Sequence, residues 1–270
     1  MKKVIIITVL IALTMVFSFG NAAFADLSDG LVAHYSFNGN ADDSSGNNLH
    51  GTVYGADLVA DRFGNVDSAY YFDGHDCNWV QWAEETDNLI LVDDDPLLHF
   101  TDAMTVSVWV NAFESGPILN KTYWMDSYAL SFGSDNSATF TVVNPDGVGG
   151  YGIGTSVTAP DLQYNTWMHI AGVFDNSMAY IYINGVLIDS MPTPVDTLQD
   201  SDQPVKMGTH PIWAADDAFG GTLDEVRLYN RALSLDEIGE LANVPIPGAV
   251  WLLGSGLMGM VAIRRRKSKE

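Results

Sequence analysis

A strict alternation of apolar and polar residues at positions 104–111 constrains the fold of this chain most. Residues 104, 106, 108 and 110 are Met or Val, and the residues that follow each of them are Thr, Ser, Trp and Asn. Successive side chains of a strand point to opposite faces, so this period of two places the four apolar residues on one face. The segment is therefore predicted to be a half-buried β-strand.

A second segment predicts a β-hairpin. Residues 179–183 are apolar or aromatic, and Asn184-Gly185 separates them from the apolar residues 186–188. Asn-Gly is the pair that best adopts the positive φ angles of a type I′ turn. One helix is predicted at 234–241, opened by a capping box of Ser234 and Glu237. Further strands are predicted at 31–37, 69–72, 128–132, 139–143, 167–174, 204–208 and 223–229.

Many strands separated by Gly, Asn and Asp turns indicate an all-β fold. The expected architecture is a two-sheet antiparallel sandwich or jelly roll, in which the first strand pairs with the last. No linker rich in Pro or Ser interrupts the middle of the chain, so residues 26–243 are predicted to form one domain.

The charge of the chain excludes one class of partner. It has 12 Lys and Arg against 34 Asp and Glu, a formal net charge of −22. Seven of the basic residues lie at the two ends, so the middle is more acidic still. Such a field repels phosphate backbones, and nucleic acid is therefore not expected as a partner.

The first 25 residues are predicted to be a signal peptide. Lys2 and Lys3 precede an apolar run at 4–17, and the small-residue motif Ala23-Phe24-Ala25 follows. This order is typical of a secretory signal that is cleaved after Ala25. The alternative is an uncleaved N-terminal membrane anchor, and in both cases the middle of the chain is exported.

The last residues, 244–270, have three parts. Val244-Pro245-Ile246-Pro247 precedes an uncharged segment at 249–263, and the basic cluster 264–267 follows. As a helix, the uncharged segment would cover about 22 Å of a hydrocarbon core of about 30 Å. The basic cluster would remain cytoplasmic, which leaves the acidic middle outside.

This tail resembles the PEP-CTERM protein-sorting signal of exopolysaccharide-producing Gram-negative bacteria, although Ile246 stands where the prototype motif has Glu. The resemblance implies an exosortase-type processing enzyme as a partner, transient insertion into the inner membrane, and a final location at the cell surface or in the extracellular matrix. The alternative is a plain single-span membrane anchor.

The middle of the chain resembles LamG-like domains of the concanavalin A-like lectin/glucanase superfamily. The motifs that carry the resemblance follow the family order and are found at 31–47, 50–52, 71–74, 166–171, 182–186 and 221–233. The chain departs from the family at 75–87, which looks like a loop insertion. Since the fold hosts lectins, adhesive modules and hydrolases, the resemblance implies the fold more strongly than the function.

The resemblance also implies a structural Ca²⁺ where the first strand meets the last. Carried over, Asp224 and Asp43 would supply carboxylates, and oxygens near Asn38 and Gly39 would complete the site. Strand parity predicts that Asp224 shares the core-facing side with Val226 and Leu228, where a buried charge needs compensation. The alternative is that Asp224 forms an ion pair with Arg227 or Arg231, or caps local backbone.

No catalytic residues are predicted. Retaining glucanases of the superfamily carry Glu-x-Asp-x-x-Glu on a strand, where alternate acids share one face, and no predicted strand of this chain carries that pattern. The nearest acidic cluster, Glu84, Glu85 and Asp87, lies in the insertion. Cys77 is a lone cysteine and cannot build a Cys-rich zinc site.

Ligand binding is assigned to aromatic and acidic residues in predicted loops, because sugar rings stack on aromatic side chains and loops collect binding groups. The alternative for each loop aromatic is that it folds back onto the core. Trp109 and Trp167, on strands, are assigned to packing. The predicted ligand-binding residues are Trp79, Trp82, Tyr123, Trp124, Trp213 and Asp216.

These observations predict an exported, non-enzymatic module that binds an extracellular glycan or a surface protein, in adhesion or in a biofilm matrix. The alternatives are a glucanase-like glycoside hydrolase and a purely structural matrix protein.

Overall fold

The structure is a computed structural model that describes residues 26–74, 88–122, 127–144, 153–194, 197–198, 200–209 and 218–242. The predicted signal peptide, the insertion and the sorting tail lie outside these ranges. Among the residues described, no helix has the length and apolar character needed to cross a membrane. The ranges contain β-strands, one 3₁₀ turn and one α-helix.

The strands, numbered in chain order, are β1 Leu31–Tyr35, β2 Thr52–Tyr54, β3 Asp57–Val59, β4 Ala69–Asp73, β5 Leu89–Val92, β6 Met104–Ala112, β7 Gly116–Asn120, β8 Tyr128–Phe132, β9 Ala138–Asn144, β10 Ile153–Ala159, β11 Met168–Phe174, β12 Met178–Ile183, β13 Val186–Pro192, β14 Val205–Met207 and β15 Gly220–Tyr229. The helix, α1, is Leu235–Ala242, and the 3₁₀ turn is Pro96–Leu98.

The strands form two antiparallel sheets that pack face to face. The eight-stranded sheet has the order β13-β12-β11-β6-β15-β4-β3, with β1 also paired to β15. The seven-stranded sheet has the order β10-β9-β8-β7-β14-β5-β2. The first strand pairs with the last, from Leu31 opposite Tyr229 to Tyr35 opposite Val226. The predicted all-β sandwich and the pairing of the terminal strands are confirmed.

One core lies between the sheets, and it is built by the alternation seen in the sequence. Met104, Val106, Val108 and Val110 of β6 are all buried in it. The hairpin of β12 and β13 turns at Asn184 and Gly185, which have φ angles of 50° and 80°. Both angles are positive, as the predicted type I′ turn requires.

Helix α1 covers part of the outer face of the eight-stranded sheet. Its Ile238 and Leu241 pack with Ala171, Val173 and Tyr229 in a second, smaller apolar cluster. The capping box predicted at its start is present, because the Ser234 amide donates to Glu237 Oε2 at 2.7 Å and the Glu237 amide donates to Ser234 Oγ at 3.4 Å.

The predicted orientation of Asp224 is wrong, and a β-bulge is the reason. The register of β15 against β6 shifts between Asp224 and Arg227, and Glu225 within the shift has a φ angle of 53°. An extra residue in one strand inverts the alternation beyond it. Leu223, Val226 and Leu228 therefore face the core, while Asp224 lies on the outer face opposite Trp109.

Candidate functional site

The six predicted ligand-binding residues, Trp79, Trp82, Tyr123, Trp124, Trp213 and Asp216, lie outside the described residues. The described residues that flank their segments nevertheless come together. A Cβ on Gly208 would lie 3.1 Å from the Asn88 carbonyl oxygen, so Asn88, just before β5, adjoins the residue that follows β14. Asn120 Nδ2 donates to the Thr209 carbonyl at 2.7 Å. Asn120, Asn88 and Thr209 thus form one polar frame at the end of β7.

The polar frame continues into a row of side chains across the outer face of the seven-stranded sheet. Core residues of these strands alternate with outward-facing ones, and the register aligns the outward-facing residues in neighbouring strands. In strand order from β2 to β10, the row is Thr52, Leu91, Lys206, Asn120, Ala129, Thr141 and Ser156.

Hydroxyl groups line the β9–β10 end of this face. Thr141 Oγ1 lies 2.8 Å from Ser156 Oγ, and Thr139 Oγ1 lies 3.1 Å from Thr158 Oγ1. Each hydroxyl has one hydrogen to donate and two lone pairs, so each pair keeps hydrogen-bonding capacity for a second partner. The face therefore offers neutral donors and acceptors of the kind that hydroxylated ligands match.

Asn120 lies in the middle of the row and has an unused acceptor. Its side chain is buried, and Oδ1 accepts no hydrogen bond within the part of the chain that the structure describes. A buried polar atom without a partner is energetically unfavourable, so an ordered water or another group is expected to satisfy it. Asn88 Oδ1, in the same frame, also lacks a partner among the described residues.

An ion-pair cluster lies next to Asn120, at the end of β7. Lys121, next to Asn120, is fully buried, and its Nζ binds Asp94 and the Gln203 carbonyl. His99 joins the cluster through Nε2, 2.9 Å from Asp94, and Nδ1, 2.7 Å from Asp200. Burial raises the pKa of Asp94, but hydrogen bonds from Lys121 and His99 outweigh it and hold the pKa below its usual value.

Two residues of this cluster, Asp94 and His99, also belong to a group of possible metal ligands in the described ranges. Asp94, His99 and Asp202 place one ligand atom each within 4.8 Å of one another. However, the Lys121 ammonium already binds the Asp94 carboxylate, and a second cation there would be repelled. The cluster therefore fits a structural network that fixes the end of β7.

The outer face of the eight-stranded sheet holds the buried charges. Asp224 forms an ion pair with Arg62, and both side chains are almost fully buried. The Arg62 guanidinium also lies over the rings of Phe63 and Trp109, at 4.5 and 4.6 Å from their centroids. Burial raises the pKa of Asp224 to about 7, although the charge of Arg62 opposes the rise. Neither Arg227 nor Arg231 is the partner, since they bind Glu225 and Glu237.

Asp43, the second residue expected to bind calcium, is also occupied by protein donors. Its Oδ1 accepts from the amides of His34 and Ser45 at 2.9 and 2.8 Å. Its Oδ2 accepts from Ser45 Oγ and the Leu49 amide at 2.8 and 3.1 Å. Burial raises the pKa of Asp43, but these hydrogen bonds outweigh it and hold the pKa below its usual value.

The arrangement does not fit a Ca²⁺ shared by these two carboxylates. A calcium site needs several oxygen acceptors that converge, whereas Asp43 is surrounded by hydrogen-bond donors and Asp224 by a guanidinium. Asn38 and Gly39 lie in an exposed turn. Asp43 instead fixes the loop after β1, and we assign no role to a metal at these residues.

A family model described as the concanavalin A-like lectin/glucanases superfamily matches residues 84–239. The match spans more than half of the chain. The chain belongs to this superfamily. The first four strands precede the match, but they pair into the same two sheets and complete the superfamily's sandwich. None of the curated proteins compared matches the chain.

Solved structures of similar fold include other members of this sandwich architecture. The binding domain of paraclostridial mosquitocidal protein 1 has a TM-score of 0.62 at 19% identity, with 80% of this chain and 52% of that chain covered. A structure of botulinum neurotoxin type C, whose cell entry depends on interaction with two ganglioside molecules, has a TM-score of 0.64 at 15% identity and covers 82% and 52%. This chain therefore spans about half the length of these toxin domains.

A third solved structure is matched over almost its whole length. Domain 4 of AbnA, an extracellular GH43 arabinanase of Geobacillus stearothermophilus, was solved in complex with arabinotriose. Its TM-score is 0.54 at 23% identity, and the match covers 78% of this chain and 98% of that chain. At this identity the likeness shows the superfamily fold.

Proposed function

We propose that this protein is an exported, non-enzymatic module that binds an extracellular glycan. The observation that carries the proposal is the set of hydroxyl-bearing side chains on the outer face of the seven-stranded sheet, Thr52, Thr141 and Ser156. Rows of Thr and Ser hydroxyls with one amide suit a ligand that is itself covered with hydroxyl groups.

The solved structures support binding as the general role. The arabinanase domain was solved with a bound trisaccharide, and neurotoxin type C interacts with gangliosides during cell entry. A related neurotoxin binding domain was solved with synaptotagmin II, a protein ligand. A glycan is favoured here because the hydroxyls of Thr52, Thr141 and Ser156 suit a ligand that is itself hydroxylated.

Export and surface location belong to the same proposal and rest on the two ends of the sequence. The signal peptide at 1–25 would bring the domain out of the cytoplasm. The tail at 244–270 would insert into the inner membrane and be cut by an exosortase-type enzyme, which would leave the domain at the cell surface or in the matrix. A module that holds polysaccharide without cleaving it would act there in adhesion.

A glycan array probed with the purified protein tests the proposal. We expect binding to at least one polysaccharide, and we expect the double variant Thr141→Val/Ser156→Ala to weaken it about tenfold, because two hydrogen-bonding hydroxyls are lost while the shape of the strands is kept. Ser190→Ala, on β13 of the other sheet, is the matched control and should bind as wild type.

Two results would contradict the proposal. The first is an array on which nothing binds. The second is release of reducing sugar by the pure protein that disappears in Glu84→Gln or Glu85→Gln, which would establish a hydrolase.

A further inference from the structure

We infer that the outer face of the eight-stranded sheet carries a second glycan-binding surface, so that one domain can hold two polysaccharide chains at once. The surface consists of Trp167, Asn111, Thr222, Tyr71 and Phe113, named here the amide–aromatic row. The inference rests on the proposed function, and it adds a site on the opposite side of the sandwich.

The sheet register places these residues side by side. Thr222 pairs with Asn111 on one side and with Tyr71 on the other. Met168 pairs with Val110, so Trp167, the residue before β11, adjoins Asn111. The neighbours of each along its strand, such as Val110, Ala112, Tyr70 and Leu223, are buried in the core, so the row faces outward.

Aromatic rings occupy both ends of the row. The Tyr71 ring stacks on the Phe113 ring with centroids 5.8 Å apart and planes 21° from parallel, and Phe113 is 36% exposed. Trp167 is partly exposed at the opposite end. The strands of Trp167 and Tyr71 are three inter-strand spacings apart, or about 14 Å. This separation suits a short oligosaccharide that stacks a sugar ring at each end.

Asn111, in the middle of the row, has an amide oxygen without a hydrogen-bond donor among the described residues. Asn111 Oδ1 is buried from water and accepts no hydrogen bond from any residue in the described ranges. Thr222 beside it carries a hydroxyl. Because Asn111 Oδ1 is closed to solvent, a ligand hydroxyl would reach it only after neighbouring side chains move. The partly exposed aromatic rings at the two ends are the groups that match the apolar C–H faces of a sugar.

Helix α1 stops short of this row. Trp109 lies one position along the same face, and its Nε1 donates to the carbonyl of Leu241, near the end of the helix, at 3.3 Å. The β3–β4 loop lies on the same side, with Arg62 over the Trp109 ring and Phe63 48% exposed. The helix and the loop thus contact Trp109, beside the row. Tyr71 pairs with the exposed Asp57 of β3, so the row has one carboxylate at its Tyr71 end. An oligosaccharide without acidic groups is therefore the ligand that fits.

The two polar rows lie on opposite outer faces of the sandwich. They point away from each other, so ligands on them do not compete. A module with two such faces can link two polysaccharide strands, and linked strands gain avidity from each added contact.

Titration calorimetry with arabinotriose, laminaritriose and cellotriose tests the second surface. We expect wild type to take up two molecules per chain of at least one trisaccharide, and Asn111→Ala or Tyr71→Ala to take up one. The Asn111→Ala variant should also keep or raise its Tm, because the substitution removes a buried acceptor that has no partner among the described residues. If Asn111 had a purely structural role, the Asn111→Ala variant would instead have a lower Tm and would still bind two trisaccharide molecules per chain. Ser190→Ala is the control on the same sheet.

The outcomes separate this inference from the proposed function. Wild type could instead bind one trisaccharide, with Thr141→Val/Ser156→Ala removing that site and Asn111→Ala leaving it intact. This result would overturn the second surface and keep the glycan-binding role. Failure of all three trisaccharides with a protein that binds polysaccharide on the array would also overturn it. A protein that binds no glycan in either assay would overturn both.

Discussion

His169 is a buried histidine whose pKa makes the stability of the fold depend on pH. It lies on the outer face of the eight-stranded sheet, fully buried, with Nε2 2.8 Å from Ser107 Oγ and its ring 5.6 Å from that of Trp109. Burial lowers its pKa to about 3, and the charges of Arg227 and Arg62 act in the same direction. The imidazole is therefore neutral in the folded protein, which rules it out as a cationic partner for Asp224.

The pKa shifts of His169 and Asp224 act on stability in opposite directions. The lowered pKa of His169 gives stability that is present above pH 6.5 and is lost as the pH falls toward 3. The raised pKa of Asp224 gives stability that is present below pH 3.8 and is lost as the pH rises through 7. Between pH 7.5 and 5 each shift changes the free energy of unfolding by about 2 kcal/mol.

We therefore expect the two shifts to oppose each other between pH 7.5 and 5, so that removing either group exposes the effect of the other. In the Asp224→Asn variant only the His169 effect remains, so the free energy of unfolding of this variant should fall toward pH 5. In the His169→Gln variant only the Asp224 effect remains, so the free energy of unfolding of this variant should rise toward pH 5. Urea unfolding at several pH values measures both slopes, and equal slopes in the two variants would contradict the assignment.

At the scale of secondary structure, the sequence predicted those elements whose signals are local. The alternation in β6, the Asn-Gly turn and the Ser234–Glu237 capping box act over a few residues, and all three are present in the structure. Strands β2, β3, β5, β7 and β10 are not among the strands predicted from the sequence. Two of them are three residues long, and β10 is rich in Gly, Ser and Thr, so hydrophobic periodicity gives no signal there.

Two glycines that lie close together in space test the turn and the helix separately. Gly185 has a φ angle of 80°, and an added Cβ would lie 3.3 Å from Gly239 Cα, so Gly185→Ala should lower the free energy of unfolding by about 1–2 kcal/mol. Gly239 lies inside α1 with open space at its Cβ position, so Gly239→Ala should raise that free energy by about 0.5–1 kcal/mol. Thermal melts followed by circular dichroism measure both, and a stabilising Gly185→Ala would contradict the type I′ assignment.

Over the whole molecule, the pairing of β1 with β15 joins the two ends of the sandwich. The loop after β1 is fixed by the Asp43 carboxylate, and the outer face beside β15 is fixed by the Arg62–Asp224 pair. Protein groups therefore hold together the region where calcium was expected from the resemblance.

We expect addition of EDTA to leave the Tm unchanged, because neither carboxylate depends on a metal. Asp43→Asn should lower the stability by about 2–3 kcal/mol with or without Ca²⁺, since an amide NH₂ would then face the backbone donors that the carboxylate now accepts from. Differential scanning fluorimetry in calcium and in EDTA provides the comparison. A Tm that drops on chelation in wild type but not in Asp224→Asn would instead place a cation at Asp224.

The sequence by itself determined the fold class, the hairpin and the helix, because periodicity, turn chemistry and capping depend on residues close together in the chain. The pairing of the terminal strands followed from the expected sandwich fold. The tertiary structure decided which side chains that are distant in the sequence come into contact. A single bulge at Glu225 moved Asp224 from the core side to the outer face, and Arg62, 162 residues away, became its partner. The alignment of Asn111, Thr222 and Tyr71 likewise depends on the register of three strands that are distant in sequence, and local patterns carry no information on that register.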